Sequence, residues 1–253
     1  MVHAVQVESR KAANSLRQAR IDLSMALRMA VRLGLNEGID NHFTLMVPGR
    51  EDLFLLSPYG LHWSEVTPEV LMIVNDKGSR VEGEGFVDPS AFLIHWPIHR
   101  ARSDAQCVMH THMPYASALT TIENGRLLMC HQNSLRFFGK VAYDDSYDGL
   151  VFDAEQGDTI TKAMGSADVL FMAHHGVIVV GRTVAEALHR LYFLERACMV
   201  QFIAMSAGKP LRIVSDRDAA NAVRQFDEWD ETAAEAHFEA LKRRLERNEE
   251  QTW

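Results

Sequence analysis

Three histidines have a spacing that suits a metal ion. His110 and His112 flank Thr111 in an apolar, strand-like run, and His175 precedes Gly176 at a break between two further apolar runs. Side chains i and i+2 of a strand lie on one face, roughly 6 to 7 Å apart, so both imidazoles can reach one ion. A third histidine from a neighbouring strand would leave a coordination position open, as in catalytic zinc sites. Alone, a His-x-His pair is more often two unrelated side chains.

Other residues are weaker candidates for chemistry. Tyr115 follows the histidine pair, and Tyr143 and Tyr147 lie in a polar run after Lys140. Each tyrosine could carry a proton, although a structural position is the more typical role of any one of them. Of these three, Tyr115 and Tyr143 are kept as weak catalytic candidates.

A second histidine pair is interpreted as structural. His95 and His99 are four residues apart on a predicted helix, a spacing that can bind a metal. Their helix face also carries Phe92 and Trp96, which favours packing against the core over metal binding.

The composition limits the protein class. The chain has 253 residues, 47% hydrophobic and 24% charged, which is typical of a globular protein with a sizeable core. Its net charge of −8 argues against a nucleic-acid partner. Three cysteines without CxxC spacing argue against disulfides and thiolate metal sites, and no apolar run is long enough to span a membrane. A cytoplasmic protein without membrane or nucleic-acid partners is predicted.

Hydrophobic periodicity and turn residues predict a sheet covered by helices on both faces, in the α/β or α+β class. A domain over residues 1–210 and a charged helical extension over 211–253, packing on the domain or on a neighbouring subunit, are expected. The Thr183 and Glu186 pair predicts a capping box at a helix start. The predicted elements are helices at 16–33, 88–103, 184–207 and from 216 onward, hairpins at 43–56 and 70–84, and strands at 107–112 and 169–180.

From residue 33 to about 207 the sequence resembles the class II aldolase/adducin family. The resemblance implies a three-layer αβα fold with a central, mainly antiparallel β-sheet, and a homotetramer with active sites between subunits. It also implies a divalent metal on the three histidines, with Zn²⁺ expected first and Mn²⁺, Fe²⁺ or Co²⁺ possible. The blocks that carry it are residues 39–44, Ser57-Pro58-Tyr59-Gly60, Pro89-Ser90, His110-Thr111-His112 and His175-Gly176.

The sequence departs from the family pattern at the substrate side of the site. Family aldolases place a metal-coordinating glutamate where this chain has Ala91, and a methyl group cannot move protons. The phosphate cradle of sugar-phosphate aldolases is also altered. The residues expected at the substrate are Asn41, His42, Tyr59, Gly60 and Ser90. His42 and Tyr59 replace smaller residues of this cradle. Their imidazole and aromatic ring suit a carboxylate or aryl group better than a sugar phosphate.

These residues lead to three functional hypotheses. The first is a metal-dependent carbon-carbon lyase that cleaves or decarboxylates a small non-phosphorylated hydroxy or hydroxy-aromatic acid through a metal-stabilised enolate. The second is an iron-dependent oxygenase on the same scaffold, because imidazole also binds iron. The third is a non-catalytic, adducin-like interaction protein, which the loss of glutamate at Ala91 favours and the intact histidine triad opposes.

Overall fold

The computed structural model describes the backbone of residues 2–247 and the side chains of residues 12–247. Its centre is an eight-stranded sheet in the order β4-β3-β2-β1-β5-β8-β7-β6. Every neighbouring pair is antiparallel except β6 and β7, which are parallel, so the expected mainly antiparallel sheet is confirmed. The strands are β1 His42–Met46, β2 Leu53–Leu56, β3 Met72–Asn75, β4 Arg80–Glu82, β5 Cys107–Thr111, β6 Val141–Asp144, β7 Val169–Met172 and β8 Gly176–Gly181.

Helices cover both faces of this sheet. Within residues 2–247, no helix is both long enough and apolar enough to cross a bilayer. The helices are α1 Val2–Arg32, α2 Pro89–Ala101, α3 Pro114–Thr120, α4 Ala154–Met164, α5 Val184–Met205, α6 Asp216–Asp227 and α7 Asp230–Glu246, with short 3-10 helices at Trp63–Glu65 and Ser134–Phe137.

The sheet is buried on both sides because successive side chains of its strands point to opposite faces. In β5, Cys107 and Met109 belong to the large core under α1, α3 and α5, whereas Val108 packs with residues of α2 and α4. In β7, Phe171 likewise belongs to the large core, and Leu170 packs on the opposite face with residues of α2 and α4. The expected three-layer αβα arrangement is therefore confirmed.

The helix starts agree largely with the predictions. The Asp88 side chain accepts the Ser90 backbone N–H at 2.9 Å and caps α2. The Thr183 hydroxyl accepts the Glu186 N–H at 3.1 Å. The second half of the predicted box is wrong by one residue, because the Glu186 carboxylate accepts the Arg182 N–H instead of the Thr183 N–H.

The charged C-terminal segment forms two helices where the sequence predicts one helical stretch. Helix α7 packs against α1 and α5, and its Phe238 and Leu241 are buried in the larger core. Helix α7 thus lies against other helices of the same chain. Residues 248–253 lie outside the described residues, and the division at residue 210 stays a prediction.

Candidate metal centre

Strand pairing brings the three predicted histidines together. His110 is near the end of β5, His112 follows that strand, and His175 directly precedes β8, which pairs with β5. One ring nitrogen from each histidine lies within 4.8 Å of the other two. Their ring centroids are 4.7 to 5.0 Å apart. This group of donors suits a divalent metal ion with an open coordination position.

The hydrogen bonds of the triad leave nitrogen lone pairs unused. The His110 Nδ1 lies 3.0 Å from the Val177 carbonyl oxygen, and since a carbonyl can only accept, Nδ1 carries the proton and Nε2 is left with a lone pair. The His112 Nε2 is buried and has no hydrogen-bond partner. Buried polar atoms are normally satisfied, so this orphaned nitrogen fits a metal ligand.

Burial keeps the imidazoles of the triad neutral. Desolvation lowers the pKa of His175 to about 4, with a further contribution from His112. It also lowers the pKa of His112, although the charges of Glu37 and Asp40 raise it. The pKa of His110, the most deeply buried of the three, is lowered as well. Neutral imidazole is the form that binds metals, so the triad is ready for an ion at neutral pH.

Two residues beside the triad have left-handed backbone conformations. Asn41 has φ 71° and His174 has φ 57°. The Asn41 side-chain oxygen accepts the His112 backbone N–H at 3.1 Å, which fixes the end of β5. The His174 N–H donates to the Thr120 carbonyl and holds the turn that presents His175. Such conformations are costly for residues other than glycine and concentrate at functional sites.

A cavity of about 400 Å³ opens beside the triad. Its wall includes all three histidines and four of the five residues expected at the substrate: Asn41, His42, Tyr59 and Ser90. Gly60 does not line it, but with φ 94° it forms the turn that follows Tyr59. The sequence analysis did not single out Phe86, Leu150 and Phe152, which form an exposed apolar rim with Tyr59.

The structure does not bring the two catalytic tyrosine candidates to this cavity. The Tyr115 ring packs 6.0 Å from the Phe202 ring, on the side of α5. The Tyr143 hydroxyl accepts the Leu127 N–H at 3.0 Å, and its ring stacks on Phe171. Tyr147 lies nearer, in a second cavity of about 320 Å³ that also includes His175.

Ala91 is a core position in this chain. Its side chain is fully buried, and it belongs to an apolar cluster between α2 and strands β1 to β3. Where family aldolases have a glutamate, this chain therefore has an apolar side chain in an apolar environment. The other buried members are Met46, Phe54, Leu56, Met72 and Val74.

Among the described residues, the group that could hold a metal ion does not include His95 and His99. They are nevertheless connected to the site, because His95 Nε2 lies 2.8 Å from Nδ1 of His42 in the cavity wall. His99 is linked to His95 through the Thr44 hydroxyl, which contacts both rings. In the sequence, only the spacing of His95 and His99 indicates this connection.

Gly176 should be required for the geometry of the triad. A Cβ at this position would lie 2.5 Å from the Thr111 carbonyl oxygen and 2.8 Å from the His112 ring. We expect Gly176→Ala to displace His112 and to weaken zinc binding at least tenfold, measured by competition with a chelator. Gly157→Ala is the matched control, since its Cβ would meet the Leu93 carbonyl away from the site. Equal zinc affinities for both variants would contradict this role.

Comparison with known proteins agrees with the fold. A family described as Class II Aldolase and Adducin N-terminal domain matches residues 22–202. The chain is 34% identical over 209 residues to an aldolase class 2 protein of Caulobacter vibrioides, covering 82% of this chain and 80% of that protein. It is 32% identical to Decarboxylase NovR of Streptomyces niveus, over 76% and 72% of the two chains.

A solved structure shows the same likeness over almost the whole chain. The crystal structure of an aldolase II superfamily protein from Pseudomonas syringae matches with a TM-score of 0.87 and 31% identity, covering 93% of this chain and 94% of that one. The family match, the curated relatives and this structure agree, and the chain belongs to the class II aldolase and adducin family.

Proposed function

We propose that this protein is a metal-dependent carbon-carbon lyase that acts on a small non-phosphorylated hydroxy acid, by retro-aldol cleavage or decarboxylation. The observation that carries the proposal is the convergence of three neutral imidazoles on one point in the wall of a cavity. A relative with 32% identity is named as a decarboxylase, which supports the same reaction class. Zn²⁺ is the proposed ion, with Mn²⁺, Fe²⁺ and Co²⁺ as alternatives.

The triad would hold the metal through one nitrogen each of His110, His112 and His175. When bound, the ion supplies a Lewis acid that draws electron density from a substrate oxygen during bond cleavage. The Val177 carbonyl orients the His110 ring. Asn41 lines the cavity, and its side-chain nitrogen is buried without a hydrogen-bond partner, so we propose that this nitrogen donates to a substrate carboxylate.

The charges of the cavity disfavour a phosphorylated substrate. Its wall carries Asp40 and Asp88 and, among the described residues, neither lysine nor arginine. A phosphate dianion would meet two carboxylates with no fixed cation except the metal. A monoanionic hydroxy acid carries less charge and can chelate the ion through two oxygens. The remodelled phosphate cradle inferred from the sequence points the same way.

The apolar rim supports an aryl group on the acid. Phe152 and Phe86 are 71% and 61% exposed at the mouth of the cavity. We expect Phe152→Ala to weaken binding of mandelate about fivefold to tenfold and to leave glycolate unchanged, by calorimetry on zinc-loaded protein. Trp229→Ala, which removes an exposed aromatic side chain outside the cavity wall, is the control. An equal loss for both acids would exclude an aryl subsite.

The same rim supports assembly. Large exposed apolar side chains around a cavity suit a subunit contact. We propose a homotetramer in which a neighbouring subunit covers Phe86, Leu150 and Phe152 and completes the site. The cytoplasmic location inferred from the cysteines stays a prediction.

The reaction class is tested with zinc-loaded protein and a panel of hydroxy acids, with and without oxygen. A lyase should release carbon dioxide or an aldehyde without oxygen, and His112→Ala should lose this activity. A strict oxygen requirement with iron would favour the oxygenase. Turnover that survives His112→Ala would contradict both enzyme proposals. The absence of any reaction in the metal-loaded protein would favour the interaction protein.

A further inference from the structure

A buried chain of polar side chains leads from the backbone to the cavity. The His99 Nδ1 lies 2.6 Å from the Ala105 carbonyl oxygen, and the His99 Nε2 lies 2.8 Å from the Thr44 hydroxyl. The same hydroxyl is 2.6 Å from the His95 Nδ1. The His95 Nε2 is in turn 2.8 Å from the His42 Nδ1. Three imidazoles and one hydroxyl thus form an unbranched path that ends at the cavity wall.

The direction of the first hydrogen bonds is fixed by chemistry. The Ala105 carbonyl can only accept, so the His99 Nδ1 must carry the hydrogen. Burial lowers the pKa of His99 to about 4, and its neutral ring leaves Nε2 as an acceptor. The Thr44 hydroxyl must therefore donate to His99. A hydroxyl has one hydrogen, so toward His95 the same oxygen can only accept.

The remaining directions follow in the same way. His95 must donate from Nδ1 to Thr44, and since it is completely buried and neutral, its Nε2 is an acceptor. The His42 Nδ1 must then carry a hydrogen and donate to His95. In the neutral ring of His42, Nε2 is left with a lone pair.

The cavity side of His42 offers this lone pair no strong partner. Its Nε2 is 3.4 Å from the Ser90 hydroxyl oxygen. That hydroxyl lies 2.8 Å from Asp88 Oδ1 and donates its hydrogen to the carboxylate. The ring of His42 is centred 5.0 Å from that of His110, and both residues line the cavity, so this imidazole lies beside the proposed metal centre.

We infer that Thr44, His95 and His99 are positioning residues that fix the Nδ1–H tautomer of His42, so that its Nε2 accepts a hydrogen bond from the hydroxyl group of the substrate. This inference rests on the proposed function for the identity of the substrate, but the tautomer of His42 does not depend on it. It assigns the contact with the substrate hydroxyl to His42, which is not a member of the metal-binding group. It also gives the buried pair His95 and His99 a role in recognition.

The tautomer is tested on the metal-free protein by NMR. With ¹⁵N-labelled histidine, two-bond correlation spectra distinguish protonated from unprotonated ring nitrogens, and the signals of His42 are assigned by their loss in His42→Gln. We expect an unprotonated Nε2 in the wild type and in Thr44→Ser, which keeps the hydroxyl. In Thr44→Val, the His95 Nδ1 loses its acceptor, and the His42 proton should shift at least partly to Nε2.

A second measurement tests the contact with the hydroxyl group. Mandelate and phenylacetate differ by one hydroxyl, and their affinity ratio for zinc-loaded protein is compared among the same three proteins. The metal contributes equally in all three. We expect the preference for mandelate to fall about fivefold in Thr44→Val and to be kept in Thr44→Ser.

The outcomes separate this inference from the proposed function. A protonated His42 Nε2 in the wild type would overturn the inference by itself, without any variant, and would leave the metal centre untouched. An unchanged mandelate preference in Thr44→Val would overturn the contact with the hydroxyl. Failure of mandelate to bind any of the three proteins would contradict the proposed substrate class, while the NMR spectra would still decide the tautomer.

Discussion

His99→Gln is expected to remove about 3 kcal/mol of the pH dependence of folding stability between pH 7 and pH 4. Burial lowers the pKa of His99 in the folded protein from 6.5 to about 4. In the unfolded chain the ring takes up a proton near pH 6.5, whereas in the folded protein it stays neutral. The unfolded state therefore binds more protons between these values. The contribution to stability is complete above pH 6.5 and is lost as the pH falls through 4.

The measurement is urea unfolding of metal-free protein at several pH values between 7 and 4. The wild type should lose stability steeply on acidification, because several other histidines are also buried. His99→Gln should be less stable at pH 7 and show a smaller pH slope, since glutamine does not titrate. Trp96→Phe, on the same helix, changes packing without changing a titrating group and should keep the wild-type slope. An unchanged slope in His99→Gln would contradict this account.

Ala91→Glu should destabilise the protein by about 3 kcal/mol or more at pH 7, although it restores the residue of family aldolases. The site of Ala91 is fully buried and surrounded by apolar side chains. A carboxylate placed there loses its hydration, and the extra atoms exceed the available volume. The free energy of unfolding is measured in urea at pH 7.

Ala91→Met is the matched control, because methionine has a similar length and no charge. It should lose about 1 to 3 kcal/mol through overpacking alone. The difference between the two variants measures the cost of the carboxylate and should shrink as the pH falls toward 5 and the carboxyl group is protonated. Wild-type stability of Ala91→Glu together with tighter zinc binding would show that position 91 belongs to the metal site.

The sequence predicted the triad because its signal is local. An i, i+2 histidine pair in a strand and a histidine at a strand break are visible without tertiary information. The pairing of β5 with β8 was needed only to close the distance between them. Most strands and helices were predicted for the same reason, since their hydrophobic periodicity is strong.

The environment of the triad could not be predicted, because it depends on contacts between distant segments. His42 meets His110 only through the register of β1 against β5, and His95 reaches His42 across 53 residues. The apolar rim comes from loops without a regular pattern. Strand β6 and helix α4 were not predicted either, because the strand is short and only half-buried and the helix is short and polar.

The central claim is that His110, His112 and His175 hold one catalytic metal ion. The most direct test is elemental analysis of protein purified without added metal, together with its His110→Ala and His175→Ala variants. We expect about one divalent ion per chain in the wild type and its loss in both variants, which circular dichroism should show to be folded. Absence of metal from the wild type, even after soaking with zinc, manganese and iron, would contradict the claim.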